Sequence, residues 1–373
     1  MIYFDHNATT PIDERVVEAM LPYLRGLYGN PSSLYRLGRI ARSAIDTARE
    51  QVAALVDAPA SQILFTSGGT EADALAMACG RGRRVWMSAI EHPAVFENVL
   101  RQAGLYREIN NLGVTSAGLF APETLDELKP DAGDFISLML ANNETGVIQD
   151  VAGLVERAES FGAIVHTDAV QALGKMPVSF RRLGVQLMSL SSHKIYGPKG
   201  CGALVCHENV RLQPLQFGGD QEQGLRAGTE NVAAIVGFGK AAELARLELE
   251  QRQARLLTLR NRLEQQLKTI PGLVIFAEQA KRLPNTVQFG IPGVNGEMLL
   301  MQLDQKNIAV SSGSACASGS EQISPVLAAM GVEAQLAKSA IRVSLGKDNS
   351  ETEIDQFIDA LKALLVKSGD NSL

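Results

Sequence analysis

"QILFTSGGTEADALAMACG", Gln62 to Gly80, decides how the chain folds. It begins as a short apolar run, passes through Ser67-Gly68-Gly69-Thr70, and continues from Glu71 as a helix-forming run rich in Ala. A strand handed to a helix through glycines suits a βα unit, and the same kind of apolar run recurs. "RRVWMSAI", "FISLMLAN", "AIVHTDAV", "QLMSLSS" and "GALVCHE" follow, separated mostly by amphipathic segments. The alternation predicts an α/β fold, a largely parallel sheet covered by helices. The glycine turn has a second meaning, because backbone N–H groups and the dipole at a helix N-terminus favour a phosphate. On its own it reads more simply as a helix start capped by Thr70.

Polar residues repeatedly follow the apolar runs: Gly69 and Thr70, His92, Asn142 and Asn143, Asp168, then His193 and Lys194. In such sheets the carboxyl ends of the strands form the ligand crevice. From Asn231 to about Ile270 few breakers interrupt a helical pattern, longer than a typical globular helix, which is expected to bridge to a second domain. The expected division is a large domain over 14–250 and a smaller α+β unit over 251–373 that residues 1–13 join.

With 373 residues, 46% of them apolar, the chain can fill two cores. A formal net charge of −6 without a long Lys/Arg run lacks the footprint of a nucleic-acid binder, so no nucleic-acid partner is expected. No basic stretch followed by an apolar one opens the chain and no window approaches a membrane span, so the expectation is a cytoplasmic protein without membrane contact. The four cysteines show neither CxxC nor His-rich spacing, which points to reduced thiols and no metal site. Cys79, Cys201 and Cys206 sit in helix or strand contexts and read as small core residues, and His166 and His207 as packed or surface histidines. Cys316 differs: "SSGSACASGS", Ser311 to Ser320, surrounds it with small residues that suit a solvated, movable loop.

Asp168 and Lys194 each follow an apolar run in "VHTDAVQALGK" and "LMSLSSHKIYGPKG", so an acid and a lysine can converge on one ligand. A strand-end lysine is usually a solvated charge. Pyridoxal 5′-phosphate, however, needs a lysine for a Schiff base, a carboxylate for its pyridine nitrogen and a phosphate cup, and the sequence offers all three.

Across almost its whole length the chain resembles a NifS/IscS-type cysteine desulfurase. The likeness rests on "NATTP", "GNPSSLYRLGR", "FTSGGTEAD", "EHPAV", "ANNETGVIQD", "HTDAVQALGK", "SSHKIYGPKG", "RAGTEN" and "SSGSACASGS", in that order. The resemblance implies a fold-type I pyridoxal-phosphate enzyme, with a mostly parallel seven-stranded sheet, that takes sulfur from L-cysteine and leaves L-alanine. It makes Lys194 the Schiff-base lysine and Asp168 the partner of the pyridine nitrogen. His92 would stack on the ring, Gln171 would reach the ring oxygen, and Asn143 would lie beside ring and substrate. Gly69, Thr70, Ser191 and His193 would hold the phosphate, with Thr229 supplied by the other subunit of a homodimer. Arg342 would clamp the substrate carboxylate, a task suited to a planar guanidinium fork, and Asn7 would join from the N-terminal segment. Cys316 falls at the nucleophile position, where it would carry the sulfur as a persulfide to an iron–sulfur scaffold or another acceptor, and could transiently ligate a nascent cluster. His6 and Gln223 stand where the family more often has Asn and Arg, and the segment from Arg101 to Asp134 is compact. Selenocysteine lyase or aminotransferase chemistry is the nearest alternative. A non-catalytic scaffold has no need for Lys194, Asp168, His92 and Cys316 together.

Overall fold

After a short strand, β1 (Ile2–Tyr3), and two helices, α1 (Glu14–Arg25) and α2 (Arg36–Leu55), the chain builds a seven-stranded sheet. Its strands are β2 (Ile63–Thr66), β3 (Arg84–Ser88), β4 (Glu108–Leu112), β5 (Phe135–Ser137), β6 (Ile164–Asp168), β7 (Leu187–Ser191) and β8 (Gly202–Cys206). The order is β2-β8-β7-β6-β5-β3-β4, and β8 runs antiparallel to both of its neighbours while the other pairs are parallel. The computed structural model describes residues 1–121, 123–124, 133–159, 161–312 and 323–370. Cys316 lies outside the described residues.

Helices cover the sheet, so β5 and β7 are buried at every position and are mostly apolar, broken only by the small serines Ser137, Ser189 and Ser191. On α2 the buried residues Gly38, Ala41, Ile45, Ala48, Val52 and Leu55 recur every three or four positions, giving one apolar stripe. That stripe packs on the helix Val232–Leu247. A Cβ at Gly239 would come within 2.6 Å of the Ala48 Cα, so glycine is what lets the two helices approach this closely.

A second core gathers Phe4 with Leu256, Leu263, Phe289, Val343 and Phe357. It contains the antiparallel sheet of β9 (Val274–Ile275), β10 (Thr286–Gly290) and β12 (Ile341–Ser344), while β1 pairs in parallel with β11 (Ile308–Ala309). The helical pattern expected to run unbroken from Asn231 to about Ile270 is two helices, Val232–Leu247 and Leu249–Leu267. Glu248, between them, accepts hydrogen bonds from Arg15 of α1 (2.6 Å) and from Arg252 one turn on (2.6 Å). Among the described residues no helix is long and apolar enough to cross a membrane.

Candidate active site

At the carboxyl ends of β5, β6 and β7 the chain leaves the sheet and its polar residues converge on a cavity of about 240 Å3. From the turn after β2 come Gly69 and Thr70, the first residues of α3 (Gly69–Ala78). His92 caps the helix α4 (Pro93–Arg101), its Nδ1 accepting the Ala94 N–H at 3.1 Å, which leaves the proton of the neutral ring on Nε2. Asn143, Asp168, Gln171, Ser191, His193 and Lys194 complete the expected lining. Asn143 follows Asn142, whose Oδ1 accepts the Glu144 and Thr145 N–H groups (both 2.9 Å) and so fixes the turn.

The N-terminal segment and β12 close the site from the other side. Lys194 Nζ donates to the backbone oxygens of Asn7 (2.5 Å) and Ala8 (2.7 Å). Arg342 donates to Asn143 O (3.1 Å) and pairs with Asp5 (2.6 Å), so the guanidinium expected to meet a substrate carboxylate is held here by an internal one. Thr229 is exposed and does not line the cavity.

Burial, then the nearby Arg342 charge, lowers the Lys194 amine to about 8 against the pull of Asp168 and Asp5. Burial likewise lowers the His92 imidazole and raises the Asp168 carboxyl, which accepts a hydrogen bond from a neutral donor, the Val170 N–H (2.8 Å). A cationic ring nitrogen against Asp168 is the partner that returns such a carboxyl to its charged form. At the opposite end, Ser191 Oγ is buried without a hydrogen-bond partner among the described residues. A Cβ at Gly69 would meet Val170 Cγ2 at 3.1 Å, so a side chain there would crowd that wall. An orphaned hydroxyl beside a glycine at a helix N-terminus fits a phosphate, and with Asp168 and Lys194 the residues present fit pyridoxal 5′-phosphate.

Three buried groups escaped the sequence reading. Asp73, one turn into α3, lines the cavity, and burial followed by the Asp168 charge pushes its carboxyl well up. Glu91 accepts the Met139 N–H (2.7 Å) and is raised to about 8 by burial and Asp168. Lys175 donates to Gln171 Oε1 (2.7 Å) and Asn7 Oδ1 (2.9 Å). An Asp among the Ala and Leu of "EADALAMA" was the available signal for the first. As expected, Cys79 and Cys201 are buried, Cys206 is half-buried, and His166 is buried between Ser137 and Ser189. Burial lifts those three thiols to about 11, 12 and 12.

The family described as Aminotransferase class-V matches residues 2–357. A cysteine desulfurase IscS from Methanosarcina thermophila is 41% identical, covering 98% of this chain and 92% of that protein. A NifS-like protein from Rickettsia africae superposes with a TM-score of 0.91 at 36% identity, covering 98% of this chain and 99% of that one. The protein SspA, solved in complex with cysteine, gives a TM-score of 0.81 at 29% identity, covering 92% of this chain and 99% of that one.

Proposed function

The chain belongs to the class-V aminotransferase family and is a cysteine desulfurase dependent on pyridoxal 5′-phosphate, and on that premise we propose that Cys316 receives the sulfur of L-cysteine. The observation that carries this reading is the convergence of Lys194, Asp168 and His92 on one cavity with Arg342 at its edge.

Lys194, with its amine near 8, has a substantial neutral fraction at neutral pH. That form is needed to bond the cofactor's aldehyde and to take the substrate's Cα proton. The bound cofactor supplies an electron sink. Asp168 would keep charge opposite the ring nitrogen, His92 would lie over the ring as a neutral imidazole, and Gly69, Thr70, Ser191 and His193 would hold the phosphate. Arg342 takes the substrate carboxylate in place of Asp5, with Asn7 and Asn143 beside it. The Cys316 thiolate attacks the substrate sulfur: an S–S bond forms, the Cβ–S bond breaks, and its electron pair stays with the carbon, which takes a proton. Alanine leaves and Cys316 keeps a persulfide. Both flanks of the segment that carries Cys316 are tied to the site, Ser311 N–H to Arg342 O (3.2 Å) and Ser324 Oγ to Glu144 Oε2 (2.6 Å). The five steps from Ser311 to Cys316 span at most about 18 Å, which bounds how far that residue ranges from the anchor.

The unit is a cytoplasmic homodimer in which the exposed Thr229 reaches the partner's phosphate site, with the large domain at 14–250 and the small one at 1–13 and 251–373. The acceptor is a protein, an iron–sulfur scaffold or another sulfur carrier, and Cys316 could transiently ligate a nascent cluster there. The test is mass spectrometry of the purified enzyme after brief exposure to L-cysteine. One extra sulfur on Cys316 is expected, and Cys316→Ala should bind cofactor but make alanine at less than a hundredth of the normal rate. A persulfide mapped to Cys79, Cys201 or Cys206 would overturn the assignment.

A further inference from the structure

We propose that Lys175 is a positioning residue for the cofactor: it holds the Gln171 amide with its oxygen turned away from the ring, so that Gln171 offers an N–H to the ring oxygen. This rests on the reading above, in which Gln171 faces that oxygen. Lys175 is buried, and its Nζ donates to Gln171 Oε1 (2.7 Å) and to Asn7 Oδ1 (2.9 Å).

Hydrogen-bond chemistry fixes each amide of the cluster. Gln171 Nε2 donates to the backbone oxygen of Asn7 (2.9 Å), an atom that can only accept. Asn7 Nδ2 donates to Asn143 O (3.1 Å) and Thr286 Oγ1 (2.9 Å), which turns Asn7 Oδ1 toward Lys175 and toward Asn285 Nδ2 (3.0 Å). One N–H of Gln171 is thus used on Asn7 and the other is left for the cavity that Gln171 lines. Burial, Lys194 and Arg342 all lower the Lys175 amine, yet even its neutral form keeps two N–H donors, enough for its two acceptors. Without Lys175 the Gln171 oxygen loses its donor and the amide is free to turn, presenting an acceptor to an anionic ring oxygen.

A side chain that merely tied the N-terminal segment to the sheet would change stability alone. The discriminating measurement is the pH titration of visible absorbance in purified holoenzyme without substrate. An N–H on the ring oxygen stabilises its anion and weakens that oxygen's hold on the proton it shares with the Lys194 nitrogen. Lys175→Met should therefore titrate about one pH unit above the wild type, a tenfold change in the proton equilibrium. Gln171→Leu should rise by as much, and the double variant should rise no further. A wild-type titration for Lys175→Met, or additive shifts in the double variant, would overturn the proposal. If Lys175→Met yields no soluble protein, Lys175→Gln, whose shorter arm cannot span both acceptors, replaces it. A midpoint between wild type and Gln171→Leu then supports the proposal, and a wild-type midpoint overturns it. Neither substrate nor Cys316 takes part, so a misplaced persulfide would sink the functional reading and leave this result standing. A wild-type chain with no visible absorbance would sink the functional reading first.

Discussion

Ser191→Ala should move stability and cofactor affinity in opposite directions. The Ser191 hydroxyl lies at the end of β7, out of solvent and without a hydrogen-bond partner among the described residues. A buried unsatisfied polar group costs about 1–3 kcal/mol, so removing one from the cofactor-free chain should stabilise it by up to that amount. With about 2 cal/mol/K of unfolding entropy per residue, a chain of this length gains roughly 1 °C of Tm for each kcal/mol, so the cofactor-free variant should melt about 1–4 °C higher. In the proposed phosphate cup the same hydroxyl would donate to a phosphate oxygen. A hydrogen bond to a charged group contributes about 1.5–3 kcal/mol, so the variant should bind pyridoxal 5′-phosphate about 10–150-fold more weakly. Differential scanning fluorimetry of cofactor-free protein and a fluorescence titration with the cofactor read the two quantities. A cofactor-free variant that melts lower, or an unchanged Kd, would show that Ser191 is satisfied some other way and is no part of the phosphate cup.

Two further outcomes follow from the buried charges. The Lys194 amine is depressed to about 8, so the rate at which cofactor-free protein captures pyridoxal 5′-phosphate should climb as pH rises through about 8 and level off above it. Stopped-flow absorbance reads this, and a rate that keeps rising toward pH 10 would mean an ordinary, solvated lysine. Asp168→Asn keeps the shape and removes the charge, and hydrogen–deuterium exchange at the substrate Cα should slow at least about a hundredfold, the loss of about 2.7 kcal/mol of transition-state stabilisation. Exchange within tenfold of the wild type would remove the role given to Asp168.

What the sequence made legible follows from where each residue sits. Strands buried on both faces, such as β5 and β7, carry only apolar residues and small serines, and show in the sequence directly. The edge strand β4 pairs with β3 alone and reads Glu-Ile-Asn-Asn-Leu, with Glu108 and Asn111 exposed, so no apolar run announced it. Nor did the break at Glu248, which has no Gly or Pro and is held by Arg15 from far earlier in the chain. Lys194, Asp168 and His92 were legible because a polar residue at the end of an apolar strand stands out. Lys175, Asp73 and Glu91 matter through burial and neighbours, which only the assembled fold supplies. A lysine four residues after Gln171 looks like any surface charge until both prove buried beside Asn7.

The chemistry of sulfur transfer separates Cys316 from the other thiols on grounds independent of motif. The attacking species is the thiolate, and an ordinary cysteine near 8.5 is a few per cent ionised at pH 7. Burial holds Cys79 at about 11 and Cys201 and Cys206 at about 12, which leaves roughly one molecule in ten thousand or fewer ionised. Cys79 also ends α3 and Cys206 ends β8, both packed in the core that Met77 and Leu204 share, so moving either sulfur to the cavity means dismantling apolar packing. Cys201 sits in the main core beside Ala203 and Val205 under the same constraint. An enzyme that must load sulfur at Lys194 and release it to another protein needs a thiol exempt from both penalties, which argues against these three and leaves Cys316, set in sequence among Ala, Ser and Gly, as the proposed carrier.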